Sequence, residues 1–146
     1  MVIQLNRFMK PLLNRLRIFQ INLNKLEKVH LNLINGVLSK HWDIILIQEP
    51  YLTHFGHIQA PNGFNSIFPP DRLSNQEDIV RSVTWVSSSL SSNSCKAVSI
   101  TGSNDLTAIQ IESSQVKPTI FNIYNDCTHS HTLDCVGIYK ANPEPW

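Results

Sequence analysis

The sequence predicts an α/β fold, a βαβ unit followed by an antiparallel meander, and three observations carry that prediction. Leu26, Val29, Leu33, Ile34, Val37 and Leu38 recur at helical spacing and form one apolar stripe. Short apolar runs over residues 16–22 and 43–48 flank that stripe, as strands flank the helix of a crossover unit. Four further β-rich runs, at 80–86, 95–100, 106–111 and 119–124, follow with short polar connections between them.

The first run carries Ile18, Phe19 and Ile21 and ends in polar Asn22, Asn24 and Lys25, so it reads as a strand that reaches a polar rim. Asn24 is placed to cap the helix through its side-chain oxygen, with Glu27 three residues later reaching back to the cap's amide. The helix should end between Ser39 and His41. The run Asp43 to Gln48 is of the kind buried on both faces in parallel sheets. A right-handed crossover makes the two strands parallel neighbours, which brings Asn22 and Glu49 to one carboxyl edge. Ligands of open α/β sheets sit at such an edge, and a carboxylate there can hold a hard cation.

Beyond Pro50 the composition changes. Gly56, Pro61, Gly63, Pro69 and Pro70 punctuate a long surface loop with one short strand at Phe64 to Phe68. The eight residues from Ser87 to Ser94, six of them serine in sequence with Leu90 and Asn93, read as a flexible hairpin tip. After Tyr124 the pattern fades, and Pro143 and Pro145 close the chain. The expected organisation is therefore a basic N-terminal extension over 1–15, a domain over 16–130 and an irregular tail over 131–146. Arg7, Lys10 and Arg15 give the extension its charge, since no acidic residue precedes Glu27.

A hydrophobic fraction of 42% with 16% charged residues is ordinary for a globular chain. The net charge of +1 gives no overall basic field, so nucleic-acid binding would have to rest on local sites. Glycine-rich phosphate signatures are absent, which argues against nucleotide cradling by a P-loop or a Rossmann turn. No apolar run approaches the roughly 18 residues of a spanning helix, so no membrane role is expected. Cys95, Cys127 and Cys135 form an odd set without CxxC spacing and read as free thiols of an intracellular chain, the nucleus included. Cys127, His129, His131 and Cys135 have the composition of a zinc site but match no standard finger, and turn and tail residues are the commoner explanation.

Five segments of the chain, taken in order, resemble a known family. They are Gln20-Ile21-Asn22-Leu23-Asn24, Ile45-Leu46-Ile47-Gln48-Glu49-Pro50-Tyr51, the stretch from Asp78 to Val86, Phe121-Asn122-Ile123-Tyr124 and the stretch from Asn125 to Ser130. Together they are similar to the opening motifs of the endonuclease/exonuclease/phosphatase superfamily, most of all to the endonuclease domain of fungal non-LTR (LINE-type) retrotransposons. The resemblance covers about residues 16 to 130.

The resemblance implies a DNase I-like β-sandwich and a metal-dependent phosphodiesterase. It makes Glu49 a ligand of Mg²⁺, or alternatively Mn²⁺, and Asn22 a residue that helps place metal and phosphate. It makes Tyr124 the contact to the scissile phosphate. The implied partner is DNA and the implied reaction the hydrolysis of one strand, leaving a 3′-hydroxyl. The family's Asp-x-Asn and Ser-Asp-His segments, which orient and activate water, do not occur in this sequence. The expectation is therefore an N-terminal part of the domain with weak or no activity alone, and an uncovered apolar sheet face through which it associates. Two other readings stay open: a phosphoesterase of the same superfamily, and a non-catalytic relic or interaction module. Among the aromatics, Trp42 and Trp85 can be read as base-stacking residues or as core, and Arg81 as a phosphate contact or as strand surface.

Overall fold

Among the described residues, seven short strands form two stacked sheets, and two helices pack on their outer faces. A computed structural model describes residues 16–73, 79–90, 94–112, 117–128 and 130–141. The basic extension over 1–15 lies outside the described residues. The first strand, β1 (Ile18–Asn22), leads into α1 (Glu27–Asn35), a 3₁₀ turn over Val37–His41 and β2 (Ile44–Gln48). β3 (Phe64–Ile67), β4 (Ser82–Ser87), β5 (Cys95–Val98), β6 (Leu106–Ile111), β7 (Thr119–Ile123) and α2 (His131–Ala141) follow.

The βαβ expectation holds in register. β1 and β2 are parallel neighbours that pair Ile18 with Ile44 and Asn22 with Gln48. The helix between them is shorter than its apolar stripe suggested, because extended backbone at Gly36 separates α1 from the 3₁₀ turn. Its start also differs. Leu26 occupies the N-cap without a side-chain bond, while Asn24 sits in a left-handed turn and its N–H donates to Asn22 Oδ1 at 2.7 Å. Asn24 thus serves the rim rather than capping the helix.

The four-strand meander is corrected in one respect. β4 belongs to the first sheet, antiparallel to both β2 and β3, in the order β1-β2-β4-β3. Only β5, β6 and β7 form an antiparallel meander, the second sheet. The serine-rich connection is accordingly a crossing between sheets, not a hairpin tip. Single-sequence patterning identifies strands but not which sheet each one joins.

Strand alternation divides the core into three layers. Ile45, Ile47, Val83 and Trp85 face α1 and its Leu33, on the outer side of the first sheet. Ile18, Ile44, Leu46 and Val86 meet Ile109 and Ile111 of β6 between the sheets. Leu106 and Ala108 point the other way, to Cys135 and Val136 of α2.

This last layer corrects the irregular tail expected over 131–146 as far as residue 141, and residues 142–146 lie outside the described residues. Residues 131–141 form a helix because Cys135 and Val136 find an apolar face to bury against, with Thr132 Oγ1 3.0 Å from Ser103 Oγ. The apolar sheet face expected to lie bare is, at β6, covered by this helix. All three cysteines are free thiols, as expected.

At one end the inter-sheet layer turns polar. Ser82 Oγ and Thr84 Oγ1 lie 3.0 and 2.8 Å from Thr107 Oγ1. Asn122 Nδ2 donates to the carbonyls of Ile47 and Val83, each at 3.0 Å, and Gln48 Nε2 to the carbonyl of Ile123 at 2.7 Å. Such bonds are directional where apolar packing is not, so they fix how the carboxyl ends of β2 and β7 meet.

Candidate active site

The carboxyl ends of β1, β2, β3, β5 and β7 and the amino ends of β4 and β6 share one rim, as the parallel and antiparallel pairings require. Glu49 is the first residue past β2, and alternation alone would send it to the α1 side with Ile45 and Ile47. Its backbone instead takes a left-handed φ of 47°. The side chain meets the second sheet, where Glu49 Oε1 accepts from the Tyr124 hydroxyl at 3.1 Å. Two backbone bonds hold the turn: the Glu49 N–H donates to the Arg81 carbonyl and the Lys25 N–H to the Glu49 carbonyl, both at 2.9 Å.

A left-handed conformation costs an ordinary residue roughly 1–2 kcal/mol. Four non-glycine residues of the described chain adopt it, Asn24, Lys25, Glu49 and Cys127, and all four stand on loops of this rim. Strain of this kind collects where the surrounding structure aims side chains for a task.

Asn22, at the end of β1 and opposite Gln48, stands beside this turn. Its Oδ1 accepts the Asn24 N–H and so shapes the 22–25 turn that reaches the Glu49 carbonyl. Tyr124 follows β7, and its N–H donates to the Asp105 carbonyl at 2.8 Å. The hydrogen bond from its hydroxyl to Glu49 pushes the phenol's pKa above its ordinary value. The three residues singled out by the sequence thus stand on one rim, with Glu49 and Tyr124 in direct contact.

The sequence alone does not assign Asp105 and Asp126 to the site, and it reads Arg81 only as a phosphate contact or as strand surface; the structure joins the three. Arg81, just before β4, donates through Nε to Asp105 Oδ1 at 2.8 Å and lies within 3.4 Å of Asp126 Oδ2. Its guanidinium sits over the Tyr124 ring, 5.1 Å from the centroid. Burial works against the Arg81 charge, but the Asp105 bond and the charges of Asp105 and Asp126 outweigh it and raise the pKa. Arg81 is thus a buttress under the Tyr124 ring. The signal that places it is its register opposite Glu49, visible only once β4 is known to lie beside β2.

Trp85 is fully buried and Trp42 stacks on Phe19 with centroids 5.2 Å apart, so both are core residues. His131 and Cys135 share one face of α2, with His131 Nε2 2.5 Å from the Gly102 carbonyl; His129 lies outside the described residues. A pocket of about 400 Å³ between the end of α1 and residues 60–62 lies at the opposite edge of the first sheet, where α1 returns to β2.

No protein-family model matches this chain, and no curated protein matches it. A solved structure does: the endonuclease domain of TRAS1, a telomere-specific non-LTR retrotransposon, at a TM-score of 0.63 and 17% identity. The fold is that of an endonuclease domain. The match covers 89% of this chain and 54% of that one, so the chain spans about half the length of the domain it resembles.

Of the residues at the rim, Glu49 offers a carboxylate that could hold a small hard cation. Among the described residues, no three of His, Cys, Asp and Glu gather into a protein-made cage. Mg²⁺ needs none: it keeps several waters and takes one or two carboxylates together with substrate phosphate. The partly buried carboxylate of Glu49 could serve in that way, with Asn22 at the neighbouring strand end of the same rim.

Proposed function

We propose that this chain carries the cation- and phosphate-holding part of a metal-assisted DNA endonuclease. The observation that bears most weight is the Tyr124–Glu49 bond, which joins the two sheets at the rim where the strained turns collect. Glu49 would hold Mg²⁺ or Mn²⁺, and Asn22, at the neighbouring strand end, would help place cation and phosphate. A cation held there would supply Lewis-acid stabilisation of charge on the phosphodiester.

Tyr124 contributes a hydroxyl whose single proton goes to Glu49 in this structure and would turn to a phosphate oxygen once a cation occupies the carboxylate. Arg81 holds the ring in place while its own charge is taken up by Asp105 and Asp126. Asn22 and the left-handed turn of Asn24 and Lys25 keep Glu49 from swinging back toward α1. Activation of the attacking water is not assigned to any of these residues. The implied product is a nicked strand, as in a retrotransposon endonuclease.

The test is Mg²⁺-dependent nicking of supercoiled plasmid by the wild-type chain and by Glu49→Gln, alongside Mn²⁺ binding followed by water-proton relaxation. Cation binding that Glu49→Gln abolishes supports the reading, with or without turnover. A wild-type chain that binds neither Mg²⁺ nor Mn²⁺ would overturn it. Hydrolysis of soluble phosphomonoesters in preference to plasmid would move the substrate to the phosphatase side of the same chemistry.

A further inference from the structure

The most exposed of the large apolar side chains among the described residues is Phe55, at 82%. A ring left in water forgoes the free energy that burial would supply, which calls for a reason when the backbone beneath it is built rather than loose. Here it is built. The Thr53 N–H donates to the His57 carbonyl at 2.9 Å, and the Gly56 N–H to the Thr53 carbonyl at 2.8 Å. The His57 N–H donates to Thr53 Oγ1 at 3.1 Å, and Gly56, with a φ of 73°, supplies the reversal.

The turn is also tethered from outside. Arg72 Nη2 donates to the Gly56 carbonyl at 2.5 Å, with the guanidinium 4.7 Å from the Phe68 ring centroid. The neighbouring Asp71 accepts the Gly102 N–H at 2.6 Å, which connects this turn to the loop between β5 and β6. The His54 ring packs against Phe55 with centroids 5.4 Å apart. Phe55 is therefore a presented ring on a fixed support.

Its position gives the support a purpose. The turn begins on the segment that leaves β2 through Glu49, and Arg72 reaches it from the end of β3, which lies at the same rim. We infer that Phe55 stacks on a base or deoxyribose of the DNA strand whose phosphate lies at Glu49 and Tyr124. This rests on the endonuclease reading and adds to it a residue that positions the strand. An aromatic face suits that task because every base has a π-face, so the contact holds without reading sequence. His54 packs on the ring and His57 follows two residues later, each carrying an imidazole N–H that can donate to an adjoining phosphate. Trp42 and Trp85, the stacking residues offered by the sequence, are both taken up in packing, which leaves this role to Phe55.

The experiment is a titration of the full chain with single-stranded and duplex oligonucleotides in excess EDTA, so that binding is read apart from turnover. Phe55→Ala should bind about ten-fold more weakly than wild type with an unchanged circular dichroism spectrum, the scale expected for loss of one stacked aromatic. Phe55→Trp should retain binding, and its added indole emission should be quenched when DNA is bound. Unchanged affinity in Phe55→Ala, or an unquenched indole in a DNA-bound Phe55→Trp, overturns the stacking assignment and leaves the endonuclease reading standing. A wild-type chain that binds neither oligonucleotide also overturns the stacking assignment, while the endonuclease reading is decided separately by the cation-binding test. Altered self-association of Phe55→Ala with unchanged DNA affinity would place the ring at a protein contact instead and also overturn the assignment.

Discussion

The Tyr124 hydroxyl donates to Glu49 Oε1 at 3.1 Å, closing the gap between the two sheets at their shared rim. The bond favours the protonated phenol, and the negative charge of Glu49 acts in the same direction. Removing that charge should therefore lower the Tyr124 pKa. Spectrophotometric titration of the three tyrosines should show one component moving to lower pH in Glu49→Gln and vanishing in Tyr124→Phe. A titration curve identical in wild type and Glu49→Gln would mean that the contact is not made in solution.

Glu49 holds a left-handed φ of 47°, a conformation whose cost falls on Cβ and is absent for glycine. Glu49→Ala and Glu49→Gly both remove the carboxylate, so their difference isolates the backbone. Glu49→Gly should be the more stable by about 1 kcal/mol, after the greater entropy of glycine in the unfolded chain is set against the relieved strain. Urea unfolding of the two variants measures this. Equal stabilities would show that the turn relaxes when the side chain is lost.

Arg81 satisfies Asp105, whose side chain is 7% exposed, while its own is 29% exposed. Truncating the arginine strands a buried carboxylate, which is more damaging than losing an exposed pair. Arg81→Ala should cost about 2–4 kcal/mol, at the lower end because the guanidinium is partly solvated. Adding Asp105→Asn to that background should restore part of the loss, because it removes the uncompensated charge. A double variant less stable than Arg81→Ala would contradict this account of the pair.

How much of this was readable from the residues follows from the range over which each constraint acts. The β1–α1–β2 unit was legible because its apolar periodicities and its connection are local, and that unit brings Asn22 and Glu49 to one edge. The sheet membership of β4 was not, since an apolar strand pairs with either sheet equally well until its register is known. The Arg81–Asp105 pair was hidden for that reason: the two lie 24 positions apart and meet only when β4 and β6 stack. The helix at His131–Ala141 was missed because its pattern is short and mixed, with Cys135 and Val136 burying only against a sheet formed elsewhere in the chain. Tyr124 came from the likeness of its segment to known motifs, and its bond to Glu49 is a finding of the structure alone.

His30 is buried on the inner side of α1 against the Trp85 ring and joins that helix to the segment that follows Glu49. Its Nδ1 accepts the Tyr51 N–H at 3.1 Å, which requires that nitrogen to be unprotonated. Nε2 lies 2.8 Å from the Gln59 carbonyl, so the neutral ring with its proton on Nε2 satisfies both partners. Burial lowers the pKa from its ordinary 6.5, and the Gln59 bond offsets this only in part. A base whose pKa is lower in the folded state binds more protons when unfolded, so stability rises with pH across the interval between the two values. The contribution of His30 is complete above about pH 6.5, the unfolded-state value, and is lost as the pH falls toward the lower folded-state value. Unfolding midpoints measured across mildly acidic pH should decline in the wild type, and the decline should be shallower in His30→Gln. Parallel pH profiles for the two proteins would assign the acid sensitivity to other groups.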